Sequence, residues 1–149
     1  MQLNPYLCFN GDCEVALHFY EQVLGARIDC LLRHEGTPAE AQTPPDWRRK
    51  VLHARLNLNG QTVMASDAPP SCYEHPKGFS INVSVQDPGE AERIFRALAE
   101  DGQVRMPIGE TFWAERFGML VDRFGIPWMV NCEKARMELG DGEHAHAAA

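Results

Sequence analysis

The order of local signals in this chain is written twice, and that repeat limits what it can fold into. From Leu3 a short strand leads through a Gly-Asp punctuated turn into a helix, Asp12 to Leu24, and then into three strand-like stretches. The same order begins again at Phe79. A shift of 75 residues sets Asp12 on Asp87, Ala16 on Ala91, Tyr20 on Phe95 and Val23 on Leu98. Internal repetition of this kind fixes architecture before any single element does. A βαβββ unit cannot bury both faces of its sheet, so two such units are expected to pair, with their open faces enclosing a cavity. The class is α+β, with mixed sheets.

Within the first unit, Asp12 suits the N-cap of a helix whose apolar positions are Val15, Ala16, Phe19, Tyr20, Val23 and Leu24. Gly25 stands where helices commonly end. Arg27 to Arg33 reads as a strand, and His34 to Arg49, with three prolines, as an exposed loop of functional length. Val51 to Asp67 reads as two strands joined at Asn59-Gly60, a strong hairpin signal. Residues 69–78 form a linker. In the second unit, Phe79 to Val85 is a strand and Asp87-Pro88 opens a helix running to about Asp101. Gln103 to Ile108, Met119 to Asp122 and Ile126 to Cys132 complete the strands. Residues 1–135 thus read as one domain, with modules at about 1–68 and 79–133, and 136–149 as a flexible tail.

Composition removes several classes of function. A formal charge of -7 leaves no basic stripe for nucleic acid. No apolar run approaches membrane-spanning length, and no secretory signal is evident. Five cysteines, at 8, 13, 30, 72 and 132, lack CxxC spacing. That pattern suits a reducing, cytoplasmic setting and argues against a disulfide framework or a cysteine zinc site.

Alternation sorts the strands by face. Leu52, Ala54, Leu56 and Leu58 oppose His53, Arg55 and Asn57, while Phe79, Ile81, Val83 and Val85 oppose Ser80, Asn82 and Ser84. The polar sets either meet water or line the expected cavity.

Several motifs carry a resemblance: Pro5-Tyr6-Leu7, Ala16 to Tyr20 with Val23-Leu24-Gly25-Ala26, His53-Ala54, Met64-Ala65-Ser66-Asp67, Phe112-Trp113 and Asp122 to Trp128. With them the chain resembles the vicinal oxygen chelate superfamily of glyoxalases, fosfomycin- and bleomycin-resistance proteins and extradiol dioxygenases, and within it the PhnB-like branch. The resemblance implies paired βαβββ modules, a homodimer, and a divalent metal held by His, Glu or Gln in the cavity. Carried over by position, those ligands fall near Pro5, on Ser80, within Val63 to Ser66, and on Met129. None is a hard-metal ligand. The usual metal site is therefore expected to be absent, and a displaced one would need His53 with Asp67 or Glu110.

His53 is the candidate catalytic residue, a base near neutral pH if a second group joins it. The plainer reading is a histidine bonded to backbone. Candidate ligand-binding residues are His53, Arg55, Asn57, Ser80, Asn82, Trp113 and Met129. Phe112, Trp113 and Trp128 form either an aromatic wall or core. Arg116 and Arg123 could hold an anion, and Cys8 and Cys132 read as buried structural thiols rather than nucleophiles. The expected function is binding or transformation of a small molecule in the module or dimer cavity without the usual metal. The alternatives are a displaced-site metal-dependent lyase, isomerase or transferase, and a non-catalytic homodimer that sequesters an aromatic or cationic compound. A methyltransferase reading gains nothing from the sequence, because no glycine-rich loop links a strand to a helix.

Overall fold

The computed structural model describes residues 1–135. The tail expected at 136–149 lies outside the described residues. The first module runs β1 (Tyr6–Phe9), α1 (Cys13–Leu24), β2 (Arg27–Arg33), β3 (Val51–Leu58) and β4 (Gln61–Asp67). The second runs β5 (Ile81–Ser84), α2 (Pro88–Ala99), β6 (Gln103–Gly109), β7 (Ala114–Val121) and β8 (Pro127–Glu133). The shift read from sequence is carried into the fold, since β5 and α2 lie 75 residues after β1 and α1 at both ends. Strand order is β1-β4-β3-β2 in one sheet and β5-β8-β7-β6 in the other. In each, the first strand pairs parallel with the last and the remaining pairs are antiparallel.

One apolar cluster spans both modules. Leu7, Phe9, Ala54, Leu56 and Ala65 pack with Ala16, Leu17 and Tyr20 of α1, and Leu120, Trp128 and Val130 with Ile94, Phe95 and Leu98 of α2. Tyr20 joins the two. Its hydroxyl donates to Asp122 Oδ2 at 2.5 Å, and its ring meets Trp128 edge-on at 5.2 Å. Asp122 also accepts from Trp128 Nε1 and from the Phe124 and Ile126 amides, which closes the β7–β8 turn. Burial first, and then the Asp122 charge, push the Tyr20 hydroxyl well above the usual phenol range.

Several expectations need correction. Asp12 precedes α1, but its side chain caps nothing, and its Oδ1 is buried without a partner. The Cys13 amide donates instead to Asp67 Oδ1 from β4, while Asp67 Oδ2 takes the Val51 amide. Asp87 does cap α2, accepting from the Glu90 amide. On α1 the buried stripe is Cys13, Ala16, Leu17, Tyr20 and Val23, whereas Val15 is 63% exposed. β7 begins five residues before its expected start at Met119. Gly118 within it lies under Phe95, where a Cβ would fall 2.5 Å from the ring. The loop after β2 contains a short 3-10 turn, Pro38–Gln42, and folds back on itself. His34 and Glu35 amides donate to the Lys50 and Arg48 carbonyls, and Lys50 Nζ reaches the Gly11 carbonyl.

Candidate functional site

Each sheet buries one face against its helix and leaves the other open. In the first, Leu7, Ala65 and Ala54 lie side by side on the buried face. Their neighbours Tyr6, Met64, Arg55 and Cys30 form a row on the open one. His53 shares that face beside Leu32, and its Nδ1 lies 3.3 Å from the Tyr6 hydroxyl, with the rings 5.9 Å apart. The plainer reading of His53 as backbone-bonded is thus replaced by a side-chain partner from β1. Tyr6 went unnoticed as a site residue, although alternation through Tyr6-Leu7-Cys8-Phe9 already set it opposite the buried Leu7 and Phe9. Arg55 is exposed and has no ion-pair partner among the described residues. Asn57, also on this face, is committed to the hairpin, accepting from the Gly60 amide at 3.0 Å.

The open face of the second sheet is softer. Asn82, Met129, Met119 and Met106 stand opposite one another on four adjacent strands. Ser84, Asn131 and Phe117 form the next row. Trp113, 40% exposed, packs against Phe117 at 5.4 Å and Phe112 at 4.7 Å. Trp128, by contrast, is core and no part of an aromatic wall. Met119, Met106 and Phe117 were invisible in the sequence because only strand register places them beside Met129.

The sequence candidates therefore fall in three places. Ser80 and Asn82 meet Asn4, Pro5 and Thr62 around a cleft of about 560 Å³ at the module junction. His53 and Arg55 lie on the open first sheet, and Met129 and Trp113 on the open second sheet.

The donor set does not fit a divalent metal. Pro5 and Ser80 directly precede β1 and β5, β4 supplies Val63, Met64, Ala65 and Ser66, and β8 supplies a thioether. A displaced site is not assembled either. Asp67 is buried on two amides, Glu110 pairs with Lys134 at 2.7 Å, and no three-ligand His, Cys, Asp or Glu group occurs among the described residues. Both candidate anion-holding arginines are engaged, Arg116 with Glu92 and Arg123 with Glu100 and Asp101. Of the two candidate thiols, Cys132 is buried and pushed up by burial, but Cys8 is exposed, contrary to its reading as structural.

The sequence model of the 3-demethylubiquinone-9 3-methyltransferase family matches residues 1–131. Protein YjdN of Escherichia coli is 36% identical over 90% of this chain and 97% of its own length. The crystal structure of PA1353 from Pseudomonas aeruginosa is 48% identical, covers 91% of this chain and 99% of that one, and superposes with a TM-score of 0.82. A PhnB protein from Bacillus cereus, described as a putative 3-demethylubiquinone-9 3-methyltransferase, is 26% identical over 89% and 99% of the two chains, with a TM-score of 0.75. A glyoxylase/bleomycin resistance protein/dioxygenase domain from Frankia, 12% identical with a TM-score of 0.62, shares the fold. The family's name implies a nucleotide-type methyl donor, and the connections that would cradle one do not fit it. Asn10-Gly11-Asp12 and Val85-Gln86-Asp87 lead from strand to helix with one glycine between them. Paired βαβββ modules, their motifs and this match over nearly the whole chain show that it belongs to the PhnB-like 3-demethylubiquinone-9 3-methyltransferase family, with the fold of the glyoxalase/bleomycin-resistance proteins.

Proposed function

We propose that this protein binds a small, flat, anionic molecule on its open sheet faces, without a divalent metal. The observation that carries the reading is the Tyr6–His53 pair beside the Arg55 guanidinium, which has no ion-pair partner among the described residues, on a sheet face whose reverse is buried. A guanidinium with free donors suits a carboxylate or another planar oxyanion. Tyr6 and His53 add a stacking surface and a switchable proton. This favours an anion over a cationic compound as the ligand.

The second open face supplies the complementary half. Methionine rows adapt to irregular apolar shapes, and Trp113 and Phe117 offer flat contact. Tyr6, Leu32, Met106 and Trp113 are each at least 37% exposed. A homodimer that sets the first sheet of one copy against the second sheet of the other would cover them and enclose the ligand. Five unpaired thiols agree with a cytoplasmic setting.

The test is titration of metal-stripped protein with the aromatic sulfonate 1-anilinonaphthalene-8-sulfonate, followed by fluorescence, with sedimentation run alongside. Saturable binding is expected, weakened about tenfold by Arg55→Ala, the worth of one charge-assisted hydrogen bond. Equal affinity in Arg55→Ala and Tyr6→Phe would refute the site.

A further inference from the structure

We infer that Cys8 and Cys72 form a peroxide-sensitive dithiol pair that closes reversibly into a disulfide. Neither is assigned a role by the fold or by the proposed ligand site. Both are exposed, and both line one pocket of about 460 Å³, between β1 and the linker that joins the modules.

Backbone contacts bring the two segments together. The Ala68 amide donates to the Phe9 carbonyl at 2.8 Å, which ties the start of the linker next to Cys8. The Cys72 and Tyr73 amides then both donate to the Pro69 carbonyl, and this turn folds Cys72 back toward β1. Beyond it, Tyr73 and His75 pack over Gly125 of the second module. Among the described residues, 74–78 make no backbone hydrogen bond outside helices and strands, so this part of the linker can adjust to bring the two Cα atoms within the roughly 7 Å a disulfide requires. Glu74 and His75 stand in the same pocket wall and can take the thiol proton.

The other thiols lack this access. Cys13 and Cys132 are buried, and burial pushes both above the usual thiol range. Cys30 is half-buried on the open face of β2.

The chemistry needs one hydrogen peroxide per pair. One thiolate attacks a peroxide oxygen, the O–O bond breaks, and a sulfenic acid forms with release of water. The second sulfur then attacks the sulfenic sulfur. The S–S bond forms, the S–O bond breaks, and the second thiol's proton leaves in another water. Two thiols are oxidised by two electrons in all and one peroxide is reduced to two waters. Cellular thiols reverse the step by exchange. Since Cys8 is two residues from Tyr6, closure staples the linker to the strand that presents the His53 partner.

The experiment treats the 149-residue chain with graded hydrogen peroxide, blocks remaining thiols by alkylation, and maps peptides by mass spectrometry without reduction. The expected result is loss of two of the five thiols and a Cys8–Cys72 linked peptide within a single chain. Dithiothreitol should reverse it, and both Cys8→Ser and Cys72→Ser should abolish it while retaining the wild-type circular dichroism spectrum. Melting temperature should rise by several degrees on oxidation and fall back on reduction. Stable sulfinic acid at either cysteine without a cross-link, pairing through Cys30, or cross-links only between chains would each overturn the inference.

Discussion

The buried Tyr20–Asp122 contact makes a quantitative prediction, because it joins the two modules and is shielded from solvent. Asp122 is 3% exposed and accepts four hydrogen bonds, at 2.5 Å from Tyr20, 2.8 Å from Trp128, 2.9 Å from Phe124 and 3.0 Å from Ile126. Tyr20→Phe removes one charge-assisted bond and leaves three, a loss of about 2 kcal/mol. Asp122→Ala strands the Tyr20 hydroxyl and the Trp128 N–H in the core. The two turn amides are nearer water, so the total loss should be about 4 to 5 kcal/mol. That approaches the whole stability of a small domain, roughly 5 to 15 kcal/mol. At about 3 °C per kcal/mol for a chain of this size, the melting temperature should drop ~6 °C and ~12 °C or more respectively. Urea denaturation of wild type, both single variants and the double variant completes a cycle. Its coupling energy should be about 1.5 to 2 kcal/mol, since Asp122→Ala has already broken the bond Tyr20→Phe removes. Additive losses, or Tyr20→Phe within about 0.5 kcal/mol of wild type, would refute the assignment.

The same tyrosine sets a limit at high pH. Its folded pKa lies well above the unfolded value near 10, so this stability is intact below pH 10 and lost as pH rises further. Tyr20→Phe should therefore show a shallower alkaline decline in urea midpoint. Asp12 should behave in a related way, since burial first, and then the Asp67 and Asp122 charges, raise its carboxyl. A raised carboxyl favours folding below its unfolded pKa of 3.8 and opposes it above the folded one. Asp12→Asn should thus raise stability at pH 7 by about 0.5 to 1 kcal/mol, with the gain shrinking toward pH 3 in thermal melts. Gly118→Ala should lower stability by about 1 to 3 kcal/mol by forcing Phe95 to move, and Phe95→Leu should relieve part of that loss.

The repeat made the architecture legible because many elements rest on local signals: an apolar stripe in each helix, a capping aspartate on α2 and the Asn59-Gly60 hairpin dipeptide in the first module. The failures share a physical cause. Asp67 caps α1 from 54 residues away, and no local rule reports that. Glu115 and Arg116 hide the first half of β7, while Gly118 there answers to Phe95 on α2. In α1, Val15 fits the apolar period as well as Cys13 does, and only the packed sheet chooses between them. For the site, alternation separated His53, Arg55 and Asn57 from the core side correctly. It could not supply Tyr6 across 47 residues or align three methionines on neighbouring strands.

Metal content tests the central claim most directly, because the reading rests on a ligand face that binds through Tyr6, His53 and Arg55 without a divalent metal. Purified untagged protein, loaded with Zn, Ni, Mn and Fe and then desalted, should carry well under one equivalent of metal by mass spectrometry. His53→Ala should match it. Near-stoichiometric metal in the wild type that disappears in His53→Ala would contradict the account and make His53 a ligand.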